Sequence, residues 1–268
     1  MPTTGIYTDL DVELADFVAT VEIRRPPHNF FYLALIQQIA AAFEALDADP
    51  ACRAIVLAAQ GKSFCAGANF GDGAKLTADG QIPGHSGGDT TQHLYREAVR
   101  LFRTQKPVIG AIHGPAVGGG LGLALVPDFR VTCPEARFVA NFTRLGFHPG
   151  FGLTVTLPEL IGTRQAALMF YTGRRVKGEE AHRMGLADVL VAQADVRAAA
   201  LDLAREIAAS APLAVAATRA TLRRGLAERV AAATEHELAE QVRLRRTGDF
   251  REGIKASSER RTPKFIGA

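Results

Sequence analysis

Two glycine-rich segments of this 268-residue chain carry the residue types best suited to chemistry at a backbone. FCAGAN (64–69) leaves a short apolar run, and HGPAVGGGLGLAL (113–125) leads from a second apolar run into a helix-like stretch. Glycine admits positive φ and lets a ligand approach the main chain closely. A helix start leaves N–H groups unpaired and carries partial positive charge. Two such turns facing each other would converge N–H donors on one oxygen, which is what a developing oxyanion or enolate requires. The same glycines would also serve tight packing of a turn. Spacing alone leaves both readings open.

Other chemistries find less support. Cys52, Cys65 and Cys133 are an odd, sparse set without metal-like spacing, so a reducing compartment and no metal are expected. GGGLG matches GxGxxG only in part, and no acidic residue follows at the distance a βαβ dinucleotide fold needs. No nicotinamide cofactor is expected. A net charge of +3 argues against a nucleic-acid binder that relies on a large positive field. No run of about 18 apolar residues suggests a membrane span. The first 17 residues carry acids and lack an apolar signal core, so the expected location is cytoplasmic.

The elements that would position the two turns follow from periodicity. DFVATVEI (16–23) alternates as a half-buried strand, and the two prolines of RRPPHNFF make the next stretch a loop. Residues 31–46 place Leu35, Ile39, Phe43 and Leu46 on one helical face. AIVLAA (54–59) reads as a strand buried on both sides. Residues 71–90, rich in Gly, Asp and Thr, are the best candidate for a mobile segment. A helix over about 91–104, a strand over 108–114 and a helix start near Gly119 or Gly120 follow, then short strands at 128–132 and 136–141. Beyond about residue 152 the chain turns helical, with LPELIG, AALMFYTG and EEAHRMG as successive helix ends and long helices over 195–209 and 211–246. The class is α/β, strand-rich first and helical later.

The order of the motifs adds a resemblance. KPVIGAIHGPAVGGGLGLAL preceded by GKSFCAGAN, with PHNFF, DFRVTCPEARF, LGFHPGFGLTVTLPELIG, TGRRVKGEEAHRMGLADVLV and DFREGIKA, resembles the enoyl-CoA hydratase/isomerase (crotonase) superfamily. The likeness runs from about residue 14 to 266. It implies a ββα spiral core over 1–200 and a C-terminal helical trimerisation lobe over 201–268, one continuous unit. It also implies acyl-CoA thioesters as ligands, coenzyme A entering only as part of the substrate, and a homotrimer or dimer of trimers. By that resemblance the backbone N–H groups of Ala68 and Gly119 are the oxyanion donors. Ala66 and Ala68 lie beside the adenine or pantetheine arm, and Asn69, Phe70 and Gly71 continue that wall. Arg25 is implied as a phosphate contact, and Lys255 and Lys264 as contacts to a neighbouring subunit's nucleotide. A solvated surface charge is the plain alternative for each basic side chain.

The chain also departs from the hydratase pattern. Water addition suits two carboxylates, one taking a proton and one delivering it. The family's GGGxE reads GGG followed by Leu121 and Gly122 here, and the position four after Phe138 is Phe142. Both places lack an acid, so ordinary hydratase activity is not expected. Phe142 would either narrow the pocket or stack on an unsaturated acyl group. His148, in LGFHPGFG, is the leading substitute as a general base, against a structural role beside proline. His93 and Tyr95 begin the helix that borders the pocket in relatives. His113 and Cys65 are expected to pack structurally, Asp128 and Glu135 to lie away from the thioester, and Glu159 to face solvent. Asp72, Asp79 and Asp89 would be relocated acids if hydration survives. Three functions remain: an acyl-CoA isomerase, hydrolase or decarboxylase of the hydratase/isomerase kind, a non-catalytic acyl-CoA binder, and a hydratase with relocated acids.

Overall fold

In the run AIVLAA every residue is apolar, which suits a strand covered on both faces. In a computed structural model of the protein, which describes residues 7–69 and 93–268, that run lies in the middle of the larger sheet. The first half of the chain supplies β1 (Leu10–Ala15), β2 (Val18–Ile23), α1 (Leu33–Ala48), β3 (Ala54–Ala59), α2 (Leu94–Phe102), β4 (Val108–Ile112), β5 (Ala116–Val117) and α3 (Gly119–Ala124). The strands β6 (Phe129–Thr132) and β7 (Arg137–Val139) follow, then α4 (Leu153–Thr172), β8 (Arg175–Lys177), α5 (Gly178–Arg183) and β9 (Val189–Leu190). The chain closes with α6 (Val196–Ala208), α7 (Pro212–Leu222), α8 (Leu226–Leu244) and α9 (Gly248–Ser258).

The larger sheet has the order β1-β2-β3-β4-β6-β9. Only β1 runs antiparallel to its neighbour; the other pairings are parallel. A smaller sheet, β5-β7-β8, stands apart from it. This is the mixed α/β class expected from the sequence, with its helices gathered late in the chain. On α1 the expected face holds, since Leu35, Ile39, Phe43 and Leu46 are all buried. Gly162, at φ 76°, interrupts α4 after LPELI, and Gly173, at φ 56°, ends it. Both breaks were legible as glycine stops.

Two details differ from the expectation. The segment expected as one strand over 16–23 is the second arm of a hairpin, paired Ala15 to Val18. Its turn residues Asp16 and Phe17 both have positive φ (49° and 67°), which is the backbone of a type I′ turn, built here without glycine. The long helix expected over 211–246 breaks at Gly225, φ 75°, into α7 and α8. Helix α6, in which residue 200 lies, packs on β2, β3, β4 and β6. The sheet's cover therefore reaches Ala208.

The late helices are bound to the sheet by charge as well as by apolar contact. Asp128, at the mouth of β6, accepts from the Val108 N–H at 2.8 Å, the Arg219 guanidinium at 2.8 Å and that of Arg223 at 2.9 Å. Arg219 and Arg223 are both largely buried, and burial lowers the Arg223 pKa. Removing one partner of a buried ion pair strands the other charge. Asp128→Ala is expected to cost about 3–5 kcal/mol of unfolding free energy, read from urea melts, whereas Glu159→Ala, whose pair with Arg229 is exposed, should cost under about 1 kcal/mol.

Candidate active site

The proline-rich loop between β2 and α1 is held from inside by Asn29. Its Nδ2 donates to the carbonyls of Gln60 (2.6 Å) and Ser63 (2.7 Å), and its Oδ1 accepts from the Arg25 N–H at 2.9 Å. The side chain is fully buried, at φ 50°, a conformation asparagine tolerates better than most residues. This brace fixes the exit of β3. The Ala66 N–H donates to the His28 carbonyl at 3.0 Å, and the Phe31 N–H to that of Gly67 at 3.1 Å.

The second glycine turn packs directly on the first. Cys65 and Ala116 form a parallel bridge, with Val117 N–H to Cys65 O at 3.0 Å and Cys65 N–H to Pro115 O at 3.1 Å. A Cβ on Gly67 would sit 2.4 Å from the Val117 carbonyl oxygen, and one on Gly120 would sit 2.0 Å from that of Cys65. The glycines at these two positions are therefore required by main-chain approach. Gly119 opens α3, so its N–H has no partner within the helix.

Ala66, Ala68 and Gly119 line one small cavity, together with Tyr95, Asn141 and Phe142. Among the described residues no acceptor takes the N–H of Ala68 or of Gly119. Two unpaired N–H groups at one cavity suit an oxygen that carries or gains negative charge. Aromatic rings close the space: Phe31 stands where a Gly119 side chain would be, and Phe142 meets Phe147 edge-on at 5.5 Å. The Gly122 position is equally closed. A Cβ there would lie 2.6 Å from the ring of Phe151, which is fully buried and has φ 67°.

Tyr95 and Asn141 are the polar side chains among the described lining residues. The Tyr95 hydroxyl accepts from Gln241 Nε2 at 3.3 Å, and burial pushes its pKa up, so it stays protonated at neutral pH. Gln241 also donates to the His148 carbonyl at 2.8 Å and accepts from Arg245 at 2.7 Å. The Asn141 Oδ1 lies 3.4 Å from the place of a Gly118 Cβ, and no described residue pairs with its amide.

The remaining candidates among the described residues do not line the cavity. The ring of His148 is not among the lining residues; its Nδ1 meets the Pro149 carbonyl at 2.8 Å and its face meets His236 at 5.9 Å. Arg25 is paired with Asp9 at 3.0 Å and lies over the Tyr32 ring. Lys255 and Lys264 are exposed, and the Lys264 N–H is tied to Glu252. His113 meets the Gly61 carbonyl at 3.0 Å. Burial raises the Cys65 thiol to about 12, so it is an inert packing residue. Asp128 and Glu135 are absent from the lining. Asn69 is exposed at the edge of the described chain. Phe70, Gly71, Asp72, Asp79 and Asp89 lie outside the described residues.

Sequence reasoning passed over three contributors: Asn141, Gln241 and Glu237. The buried Glu237 carboxylate accepts from the N–H groups of Gly152 (2.8 Å) and Thr154 (3.0 Å) at the start of α4. An acidic residue on a long amphipathic helix gives no sign of such a partner.

A family model described as enoyl-CoA hydratase/isomerase matches residues 13–268. The chain belongs to the enoyl-CoA hydratase/isomerase family. YngF of Bacillus subtilis (strain 168), named for the same family, is 32% identical over 254 residues, covering 94% of this chain and 95% of its own. The 4-chlorobenzoyl coenzyme A dehalogenase-2 of an Arthrobacter species is 31% identical over 232 residues, covering 85% and 83%. The crystal structure of an enoyl-CoA hydratase/isomerase from Pseudoalteromonas atlantica T6c superposes with a TM-score of 0.85 at 27% identity, over 96% of this chain and all of that one.

In this member of the family His93 caps α2, its Nδ1 accepting from the Tyr95 N–H at 3.1 Å. Burial, then the charges of Arg245 and Arg96, push its pKa down to about 4. The unfolded chain thus binds the extra proton between about pH 4 and 6.5, and stability falls as pH drops through that window. The loss should reach about 3 kcal/mol near pH 4. Urea melts at pH 4.5 and 7.5 should show His93→Asn, which keeps a capping acceptor, losing distinctly less stability on acidification than the parent.

Proposed function

We propose that this protein binds acyl-CoA thioesters and stabilises an enolate at the thioester carbonyl through the backbone N–H groups of Ala68 and Gly119. The observation that carries the reading is the meeting of those two residues, neither N–H group paired among the described residues, at one apolar cavity. In a dry site such donors act in low dielectric and need no reorganisation as charge develops. Ala66 and Ala68 would flank the pantetheine arm. Family membership and the naming of one relative for a coenzyme A thioester reaction support the substrate class.

Ordinary hydration is not part of the proposal. Gly122 and Phe142 supply no carboxylate, and Phe151 fills the space an acid at 122 would need. Decarboxylation beside the thioester breaks the bond to the departing carbon dioxide, leaves its electron pair in the enolate held by the two N–H groups, and then needs one proton at carbon rather than an activated water. The protonated Tyr95 hydroxyl borders the cavity and is the donor for that proton. The second reading, a binder without turnover, draws on the same apolar lining. A hydrolase built on His148 gains nothing from the ring's placement against Pro149 and His236.

The test pairs calorimetric titration of acyl-CoA esters with mass spectrometry of the products. Binding with turnover identifies the reaction from the mass change; binding alone favours the second reading; no binding of any ester sinks the proposal. For an ester that turns over, Ala68→Pro removes one donor and should lower kcat about 10²–10³-fold with KM changed far less, whereas equal losses in both would mean that the loop had merely been displaced.

A further inference from the structure

A second depression shares part of its wall with the cavity and is unexplained by enolate chemistry alone. It is a groove of about 1020 Å³ whose described lining includes Arg137, Arg144, Arg174, Arg175, Arg260 and Arg261, and no carboxylate side chain. It shares Val117, Asn141 and Leu145 with the cavity but none of Ala66, Gly67 and Ala68. It therefore adjoins the cavity along the wall formed by Val117, Asn141 and Leu145.

Half of these arginines are already engaged. Arg174 pairs with Glu180 at 3.0 Å, Arg261 with Glu252 and Glu259 at 2.6 Å each, and Arg137 donates to the carbonyls of Pro134, Glu135 and Ala136. The side chains of Arg144, Arg175 and Arg260 have no acceptor among the described residues. Arg144 comes from the 3-10 turn Thr143–Leu145, its stem packed against Gly173, while Arg175 begins β8. Two elements of secondary structure thus bring guanidinium groups to one groove, and Asn141, whose amide pairs with no described residue, lines both the groove and the cavity.

On the acyl-CoA reading of the site, we infer that this groove receives a carboxylate at the far end of the acyl group, so that the substrate class is thioesters of dicarboxylic acids. A guanidinium presents a planar fork that matches a carboxylate with two parallel hydrogen bonds. An alkyl tail in the same groove would desolvate those cations and return nothing to them. The groove thus favours a charged acyl end and disfavours a plain fatty one.

The experiment titrates the full-length protein with matched pairs of four to eight acyl carbons, such as adipyl-CoA against hexanoyl-CoA, and repeats it with the corresponding N-acetylcysteamine thioesters, which lack the nucleotide. The parent should prefer the carboxylated ester by about tenfold or more in both series. Arg144→Gln with Arg175→Gln should reduce that preference to under about threefold while leaving hexanoyl-CoA affinity unchanged, which also shows that the variant is folded. Equal affinity of the parent for both members of every pair overturns the inference and leaves the acyl-CoA reading standing. Loss confined to the CoA esters, charged and neutral alike, would make the groove a nucleotide-phosphate site and overturn it too. So would a changed molar mass by light scattering with the preference intact, since the groove would then be an interface between copies of this chain. Absence of binding by every thioester would remove the acyl-CoA reading itself.

Discussion

The site depends on one close approach of two main chains, where the exit of β3 runs alongside the start of β5. The Cys65–Ala116 bridge, with hydrogen bonds near 3.0 Å on both sides, brings the turn at Ala66–Ala68 against the first turn of α3. Any side chain at Gly67 or Gly120 would collide with a carbonyl oxygen on the other strand. Side-chain collisions can be relieved by a rotamer change; backbone collisions here would separate the two turns and, with them, Ala68 from Gly119. Glycine at these positions is thus a geometric condition for the cavity, beyond any gain in flexibility.

Around this contact the protein builds two kinds of support. Asn29 fixes the proline-rich loop to the β3 exit from within, using three hydrogen bonds of one small buried side chain. From the other side, α8 props the opposite wall: Glu237 holds the start of α4, and Gln241 links the Tyr95 hydroxyl, the His148 carbonyl and Arg245. Buried polar groups of this sort are costly when a partner is missing and rigidifying when all are satisfied. The late helices are therefore part of the cavity wall as well as a cover for the sheet.

How much of this could be read in advance depended on whether a residue's role was local. The runs at 54–59 and 108–112, the helix start at Gly119 and the helix breaks at Gly162 and Gly173 all announce themselves in composition, because backbone conformation and burial are decided within a few residues there. The hairpin turn at Asp16 and Phe17 did not, since one of its two positive φ values falls on a phenylalanine, a residue that rarely adopts it. The break at Gly225 was hidden in an otherwise continuous amphipathic pattern. Spacing alone left the two glycine turns open to a packing role, and it was the order of the motifs that raised the expectation of donors to one oxygen; the structure brings the two turns together at one cavity. Phe151, Glu237 and Gln241 acquire their roles from partners far along the chain, and Asn141 acquires its role from its place in the cavity lining, so no local pattern encodes them.

The bond from Glu237 to the Gly152 N–H spans 85 residues, and that from Gln241 to the Tyr95 hydroxyl spans 146. Contacts so distant in sequence close late, because the entropy of a long loop must be overcome before they form. During synthesis the sheet and both glycine turns leave the ribosome well before α8 does. A nascent chain can therefore pair β3 with β4 while Tyr95 and the start of α4 still lack their buried partners. For that interval one wall of the site is unsupported, and this is the stage at which the chain is most open to association with other molecules. The helix that completes the pocket thus also ends the chain's most vulnerable period.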